Sequence, residues 1–590
     1  MVPAREKRER FEIRIKILWV VITCGFLILL ARMTWLQLIE GERYFDISKN
    51  SRLQLLPLPC TRGLVLDRNG KKLTHNEASF AVGAVPANVS NPDHLLDELA
   101  RILKLDKKAI LERLRRASNP FKPVVLKKNV GMSTVTFLLE KKEEFPGVVI
   151  IAQPVRTYPY RALSSHLVGH LGEVSQAELS RSSGYGIEMG DLVGKMGVEK
   201  VYNRYLQGEK GGRQVEVDAH GRTLRTISEK DPLPGHNVYL TIDLRIQEIA
   251  EKELGKRKGV VLIGDPHTGE ILALVSHPSF DPNLFSWGIS DHEWNRLRDE
   301  PLHPLENRAI RGEYPPASTI KVITASAALE DGIISKEDTF FCGGSLTVGR
   351  RVFKGWKEGG HGRINLEEAL IHSCDVYFYQ LGLRLGVNRI IRYSRLFGLG
   401  EPTGIDLGSE KQGFLPTPEW KKTYKDEVWY GGDTVNLSIG QGYILVTPIQ
   451  MLKVISSIAN GGYLIRPYLI KKIVSPRGDL IKEFQPQKMG RVPLSSATLK
   501  FLRKSLRGVV QEGTGWRAKN KVVEVSGKTG TAELSEDQKP HNWFIGYAPS
   551  SHPRLAIVVL VENREEDIQI GAQITGKILS QIFERQGPES

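Results

Sequence analysis

A serine hydroxyl becomes a useful nucleophile only when a neighbouring base takes its proton. One stretch of this chain offers that pairing at short range, Ser318-Thr319-Ile320-Lys321, and no other Ser-x-x-Lys occurs in the sequence. A lysine desolvated beside the serine, near the positive end of a helix, can have its proton affinity lowered enough to serve as the base. Two more clusters follow in order, Ser373-Cys374-Asp375 and Lys528-Thr529-Gly530-Thr531. Ser373 can hydrogen-bond Lys321 and relay a proton to a leaving amine. Lys528 supplies positive charge, Thr529 and Thr531 can hold a substrate carboxylate, and Gly530 lets a substrate backbone come close. Asp375 puts a carboxylate near two lysines; when ionised it accepts hydrogen bonds and donates none.

These groups need elements to place them. Pro315 and Pro316 end an extended segment. Ile320, Val322, Ile323 and the alanines at 325, 327 and 328 then predict a buried helix with Ser318 in its first turn. Ser318 and Lys321, three apart, share one face of it. Ser373 precedes a helix predicted over 376–385. The Lys-Thr-Gly cluster follows an edge-like strand predicted over 522–525, and 541–547 and 555–561 read as closing strands. Upstream, 238–243 predicts a strand, 244–254 a helix, and 259–264 a buried strand that turns at Pro266-His267-Thr268-Gly269 and returns over 270–275.

At 590 residues the chain exceeds one core, and roughly three or four domains are expected. Hydrophobic content of 41% and charged content of 25% are ordinary for globular domains. A net charge of +15 implies an anionic neighbour. No zinc finger, RNA-binding signature or basic helix favours nucleic acid, so an anionic envelope is the simpler partner. Four cysteines make no disulfide framework, although one bridge stays open. Residues 1–16 form a basic tail with Arg5, Lys7, Arg8 and Arg10. Residues 17–38 give about 33 Å of apolar helix, enough to cross a bilayer. The basic flank predicts a cytoplasmic N-terminus, with the bulk of the chain on the far side of an inner membrane. The rival reading is a cleaved signal peptide, but no small-x-small site follows the apolar run. Residues 39–236 read as a composite scaffold: a strand entering an Asn-Gly turn over 61–70, helical spacing over 93–117, and Gly194, Gly197 and Glu199 before a helix through Tyr205. His166 and His170 are four apart, but Val168 and Gly169 predict strand or loop between them, which argues against a shared metal.

The ordered trio of motifs resembles the serine penicillin-recognising enzymes. With the membrane anchor and the scaffold, the likeness runs from about residue 15 to 583 and is closest to class B penicillin-binding proteins. Ser438-Ile439-Gly440-Gln441-Gly442 and Gly513-Thr514-Gly515 match further stretches of that family. The resemblance implies an α+β multidomain chain. It comprises a single transmembrane helix, an elongated pedestal (dimerisation) domain over 39–236, a β-lactamase-like transpeptidase domain over 237–583 whose antiparallel sheet has helices on both sides, and a tail at 584–590. It implies a D,D-transpeptidase in which Ser318 forms the acyl-enzyme, Lys321 is the base, Ser373 relays the proton and Lys528 assists. Substrate would be held by Asp375, Thr529, Gly530 and Thr531, and the oxyanion hole formed by the backbone N–H groups of Ser318 and Thr531. Much of the family has asparagine where this chain has Asp375; elongation-type members, the penicillin-binding protein 2 branch, resemble it in having aspartate.

The implied partners are peptidoglycan stem peptides and lipid-linked nascent glycan, β-lactams, elongation-complex scaffold proteins, and a SEDS-type membrane glycosyltransferase met through the membrane helix and pedestal. No cofactor is implied for the reaction. Some Gram-negative relatives carry zinc, and His361 and Cys374 match two of its ligands, with Cys342 a third candidate. The family's aspartate six residues before that histidine is Gly355 here, and an inert buried cysteine is the alternative. The functional rivals are a septal class B enzyme, a D,D-carboxypeptidase or β-lactamase, and a non-catalytic penicillin-binding scaffold. No Glu-x-x-Leu-Asn segment of the kind that activates water in class A β-lactamases is found.

Overall fold

The computed structural model describes residues 4–42, 53–89, 92–115, 117, 120, 123–181, 187–217, 223–534, 538–563 and 569–584. Helix α1 (Ala4–Thr34) opens the chain and runs into a wider π turn at Trp35–Ile39. Its apolar span, Phe11–Ile39, is 29 residues long with none of it buried, which is length and composition enough to cross a membrane. The helix begins well before the predicted span because the basic residues ahead of it are themselves good helix formers.

Beyond α1 the chain divides into two compact units. The first comprises residues up to 60 with 80–153 and 210–233. It contains a three-stranded antiparallel sheet (Leu53–Leu58, Gly211–Val217, Thr223–Lys230). It also has a small core of its own, built on Val82, Leu96, Leu99, Ile110, Leu126 and Phe145. The predicted helical stretch over 93–117 is two helices, Pro92–Leu103 and Lys107–Arg115, because Lys104 turns left-handed (φ +50°) and ends the first.

The second unit comprises 61–79, 154–209 and 234–590. Its centre is a five-stranded sheet. In chain order the strands are β1 (Gly259–Gly264), β2 (Ile271–His277), β3 (Ser526–Ala532), β4 (His541–Ala548) and β5 (Leu555–Val561). In space they lie β2-β1-β5-β4-β3, every neighbour antiparallel. Side chains of a strand alternate between faces, and here each face has its own core. Val260, Leu262, Val558 and Leu560 enter a large cluster shared with α3 (Lys321–Glu330), α4 (Asp375–Leu385) and α5 (Pro448–Ala459). Val261, Ile263, Ile557 and Val559 enter a second cluster with α2 (Leu244–Leu254) and α6 (Ile570–Glu584). The expected antiparallel sheet with helices on both sides is therefore present. One boundary differs. Residues 522–525 form no strand, since the Asn520 side chain caps the backbone of Val522 and Val523, and the strand is the Lys-Thr-Gly segment itself.

The scaffold pieces 61–79 and 154–209 are built around a buried carboxylate. Glu199 accepts from Arg62 and Arg156, each at 2.7 Å. Burial pushes its proton affinity up, but the two guanidinium charges outweigh burial and hold it below the usual carboxylate range. His166 lies in a short helical turn, Ser165–Val168, where sequence predicted strand or loop; the turn closes on Gly169 at φ +83°. His166 meets the Pro304 carbonyl at 2.8 Å and His170 stacks on Phe285, while both rings pack edge-on against Phe280. Replacing Glu199 by glutamine leaves two buried arginines without a counter-charge. Glu199→Gln is expected to destabilise the second unit by about 3 kcal/mol, read as a lowered midpoint in chemical denaturation.

Candidate active site

The segment before the nucleophile is pinned first. The Pro315 carbonyl accepts from Trp543 Nε1 of β4 at 3.0 Å, and Tyr314 pairs by backbone with Val446. The chain then enters a 3-10 turn, Ala317–Ile320, which continues as α3. The predicted buried helix is present, with its first turn wound tighter. In 3-10 geometry residues three apart eclipse, which sets Ser318 and Lys321 on one side. Ala317 is left-handed (φ +49°) and nearly fully buried, and its N–H donates to the Gly440 carbonyl at 2.9 Å. A Cβ on Gly440 would lie 2.3 Å from the Ala317 carbonyl oxygen, so only glycine lets the turn sit there. Ser318 is half-buried, and its backbone N–H, in the first helical turn, has no intrahelical acceptor.

Lys321 is fully buried. Its Nζ donates to Asp375 Oδ1 at 2.7 Å and to the Ser373 carbonyl at 2.9 Å, and lies 3.3 Å from Ser373 Oγ. Ser373 is left-handed (φ +52°), between the end of helix Leu366–Ile371 and the start of α4. Its hydroxyl also accepts from Lys528 Nζ at 2.8 Å. Lys528 reaches it from β3, fully buried, with a second hydrogen bond to the Thr529 carbonyl at 3.1 Å. Burial first, then the Lys321 charge, push the Lys528 amine well below the ordinary lysine value; Asp375 opposes them. One hydroxyl thus joins two amines, one of which also holds a carboxylate, side by side with the Ser318 turn.

β3 is an edge strand of its sheet. The Thr529 carbonyl faces Lys528, and the Thr531 carbonyl faces Gln441 Nε2 at 3.5 Å, so these residues turn their backbone away from β4. In a strand the N–H and C=O of one residue point the same way, which leaves the Thr531 N–H on the Ser318 side. Thr529 Oγ1 is held at 2.7 Å by Thr514 Oγ1. Gly530 has a local reason as well as room for substrate: a Cβ there would lie 3.1 Å from Thr319 Cγ2 and 3.2 Å from the Pro316 carbonyl oxygen. The site therefore brings together the Ser318 hydroxyl, two buried amines, the Ser373 hydroxyl bonded to both, and two backbone donors able to stabilise an oxyanion.

A Penicillin binding protein transpeptidase domain profile matches residues 259–584, and a Penicillin-binding Protein dimerisation domain profile matches 57–240. Peptidoglycan D,D-transpeptidase MrdA of Acinetobacter baumannii is 36% identical over 563 residues, covering 92% of this chain and 83% of that protein. The solved complex of penicillin-binding protein 2 with MreC from Helicobacter pylori matches with a TM-score of 0.80 at 29% identity, over 90% of this chain and 99% of that one. A chain from a peptidoglycan synthase complex, solved to show structural coordination of polymerization and crosslinking, matches at TM-score 0.73 and 31% identity, over 98% and 99%. The chain belongs to the penicillin-binding protein 2 (MrdA) family.

All eight motif residues that family resemblance pointed to, Ser318, Lys321, Ser373, Asp375, Lys528, Thr529, Gly530 and Thr531, lie on the Ser318 turn and the first residue of α3, on the loop before α4 and its first residue, and on β3. Among the described residues no hydrogen bond joins Lys321 to the Ser318 hydroxyl; the lysine turns to Asp375 and Ser373. Sequence reasoning missed Trp356, whose three hydrogen bonds reach the same loop. A lone tryptophan in a glycine-flanked loop carries no signal that would find it.

Cys342, His361 and Cys374 are also brought together, their ligand atoms all within 4.8 Å of one another. Cys342 Sγ and His361 Nδ1 are 3.6 Å apart. That is about the spacing a tetrahedral zinc ion imposes with Zn–S about 2.3 Å and Zn–N about 2.0 Å. Burial pushes the Cys374 thiol up to about 12, so an ion would have to displace its proton. Gly355 supplies no fourth side chain.

Asp375 raises Lys528 through charge, so its removal must lower Lys528 further. Lys528 is to act as a charged group, so in Asp375→Asn the descending limb of the pH–acylation profile, where Lys528 loses its proton, is expected to move to lower pH, measured as penicillin acylation rate against pH.

Proposed function

We propose that this chain cross-links peptidoglycan stem peptides through an acyl-enzyme on Ser318. The reading follows from the family and is carried by one observation, the Lys321–Ser373–Lys528 chain with Asp375 beside the Ser318 turn. Ser318 Oγ attacks the carbonyl of the penultimate D-Ala, and its proton passes to Lys321. The oxyanion is met by the N–H groups of Ser318 and Thr531. Ser373, linked to both amines, hands a proton to the departing nitrogen; the C–N bond breaks and the terminal D-Ala leaves. The amine of a neighbouring stem then attacks the ester, loses a proton to the same chain of groups, and restores Ser318. Lys528 and the hydroxyls of Thr529 and Thr531 hold the substrate carboxylate. A β-lactam, entering as an acyl-D-Ala-D-Ala mimic, stops at the ester.

The relatives named MrdA and Asp375 in the asparagine position both support elongation over septal work. The apolar helix supports a single-pass inner-membrane protein, and the basic residues before it support a cytoplasmic N-terminus. The Helicobacter pylori relative was solved with MreC. By that likeness the pedestal of this chain would meet an MreC-type scaffold, and its membrane helix and pedestal a SEDS-type glycosyltransferase that polymerises lipid-linked glycan.

Fluorescent penicillin applied to the purified chain is expected to give a stable one-to-one adduct, seen by gel and intact mass, that is absent in Ser318→Ala. An adduct decaying within seconds would mean a β-lactamase, and no adduct on the parent chain would leave a scaffold.

A second reading concerns the cysteine cluster. Its 3.6 Å spacing supports structural zinc held by Cys342, His361 and Cys374, which would brace the loop that carries His361 and supply no step of the reaction. Metal analysis of the purified chain is expected to show about one zinc per chain, lost in Cys342→Ser. A metal-free parent chain would leave Cys374 as a buried, inert thiol.

A further inference from the structure

Trp356 lies outside every motif that pointed to the active site, and it is an unusual residue for its place. It sits in the loop between strands Arg351–Lys354 and Gly362–Ile364, with 59% of its surface exposed. An indole that open to water gains little from burial, so its position must be set by something else. Three hydrogen bonds set it. Its backbone N–H donates to Asp375 Oδ2 at 3.2 Å, and its ring Nε1–H is shared by the carbonyls of His372 and Ser373, each at 3.2 Å. From the buried side, Lys321 Nζ takes Asp375 Oδ1 at 2.7 Å and the same Ser373 carbonyl at 2.9 Å. Lys321 and Trp356 therefore grip the same carboxylate and the same carbonyl, one from the interior and one from the solvent side.

The gripped loop needs holding. Ser373 is left-handed, which for a residue with a Cβ costs on the order of 1 kcal/mol and persists only where the surroundings fix it. The Trp356 loop has its own anchors. The Gly355 N–H donates to the Gly344 carbonyl at 2.8 Å, the His361 ring packs edge-on to the indole at 5.6 Å, and it stacks on His372 at 6.0 Å. A fixed donor on a fixed loop can act as a stop.

We infer that Trp356 is a positioning residue of the transpeptidase reaction, whose indole N–H holds the Ser373-Cys374-Asp375 loop so that Ser373 Oγ stays between Lys321 and Lys528. The inference rests on the acyl-enzyme reading above. Without the indole donor the His372 carbonyl loses its Trp356 partner, the Ser373 carbonyl is left to Lys321 alone, and the solvent side holds the loop only through the Trp356 backbone N–H on Asp375. A displacement of the relay hydroxyl by about 1 Å is enough to cost about a hundred-fold in rate.

The test uses the full-length chain in detergent micelles and two replacements. Trp356→Phe keeps a ring and removes the donor. Benzothienylalanine incorporated at position 356 keeps the indole outline, with sulfur in place of N–H. Both are expected to slow fluorescent-penicillin acylation by about ten-fold or more, with an unchanged melting midpoint and Ser318 still the residue modified. A tryptophan that only packs would behave otherwise: the benzothienyl protein would acylate at the parent rate, and that result overturns the inference. Should Trp356→Phe fail to fold, the isosteric replacement alone decides. A parent chain that does not acylate would fail the acyl-enzyme reading itself, before either replacement is compared.

Discussion

Two buried lysines share one serine hydroxyl, and the rest of the catalytic unit is arranged to make that tolerable. Moving an ammonium ion out of water costs several kcal/mol even after the protein relaxes. A second amine against the same oxygen adds repulsion. Lys321 and Lys528 are both without solvent exposure, and each has two acceptors besides or including Ser373 Oγ. Those acceptors come from the loop before α4 and from β3, segments far apart in the chain. The fold must bring them to hydrogen-bonding distance of side chains that start on α3 and β3, and it must keep water out while doing so.

That demand explains why the nucleophile lies at the sheet's edge. Only an outermost strand can pair on one side and turn its remaining backbone groups to a cleft. β3 pairs with β4 alone, and its Thr529 and Thr531 carbonyls face away from it. The turn carrying Ser318 is pressed against this strand at Gly530, and against a separate loop at Gly440, so tightly that neither glycine leaves room for a Cβ without displacement. The two left-handed residues with side chains at the site, Ala317 and Ser373, lie in the two loops that meet the lysines. Such strain survives where packing over-determines it, and the cores on both sheet faces supply that packing.

Much of this was legible in the sequence, for physical reasons. The strands 259–264, 541–548 and 555–561 are short apolar runs, and α2 matches its predicted span because Asp243 caps it and Gly255 ends it. The motif residues were legible because their types and order recur with the chemistry. What was not legible depends on contacts between distant segments. Residues 526–532 look like a polar turn, yet they are a strand, because the cleft side of an edge strand accepts glycine and threonine. The lowering of Lys528 was not legible either, because it comes from burial on β3 and from the charge of Lys321 on a different element, and neither has a local sign. Trp356 escaped notice because its backbone and ring meet Ser373 and Asp375 only after the loop folds over them.

Among the described residues of the second unit, three largely buried clusters set one carboxylate against two cations, and one of them differs in its contacts. Glu199 is touched directly by Arg62 and Arg156. Glu562 is touched directly by Arg308 and Lys258, each at 2.8 Å, and accepts from Tyr314 at 2.7 Å. In both, each cation reaches the carboxylate, and the carboxylate is held below its usual range although burial alone would raise it. The third cluster departs from this pattern. Lys321 reaches Asp375, but Lys528 is given only a hydroxyl and a carbonyl. A neutral acceptor repays less of the desolvation of an ammonium ion than a carboxylate does, so this is the cation that gives way. Charge count alone would make the three sites alike. The difference lies in which cation is denied the carboxylate, and that denial falls on the strand that faces the nucleophile.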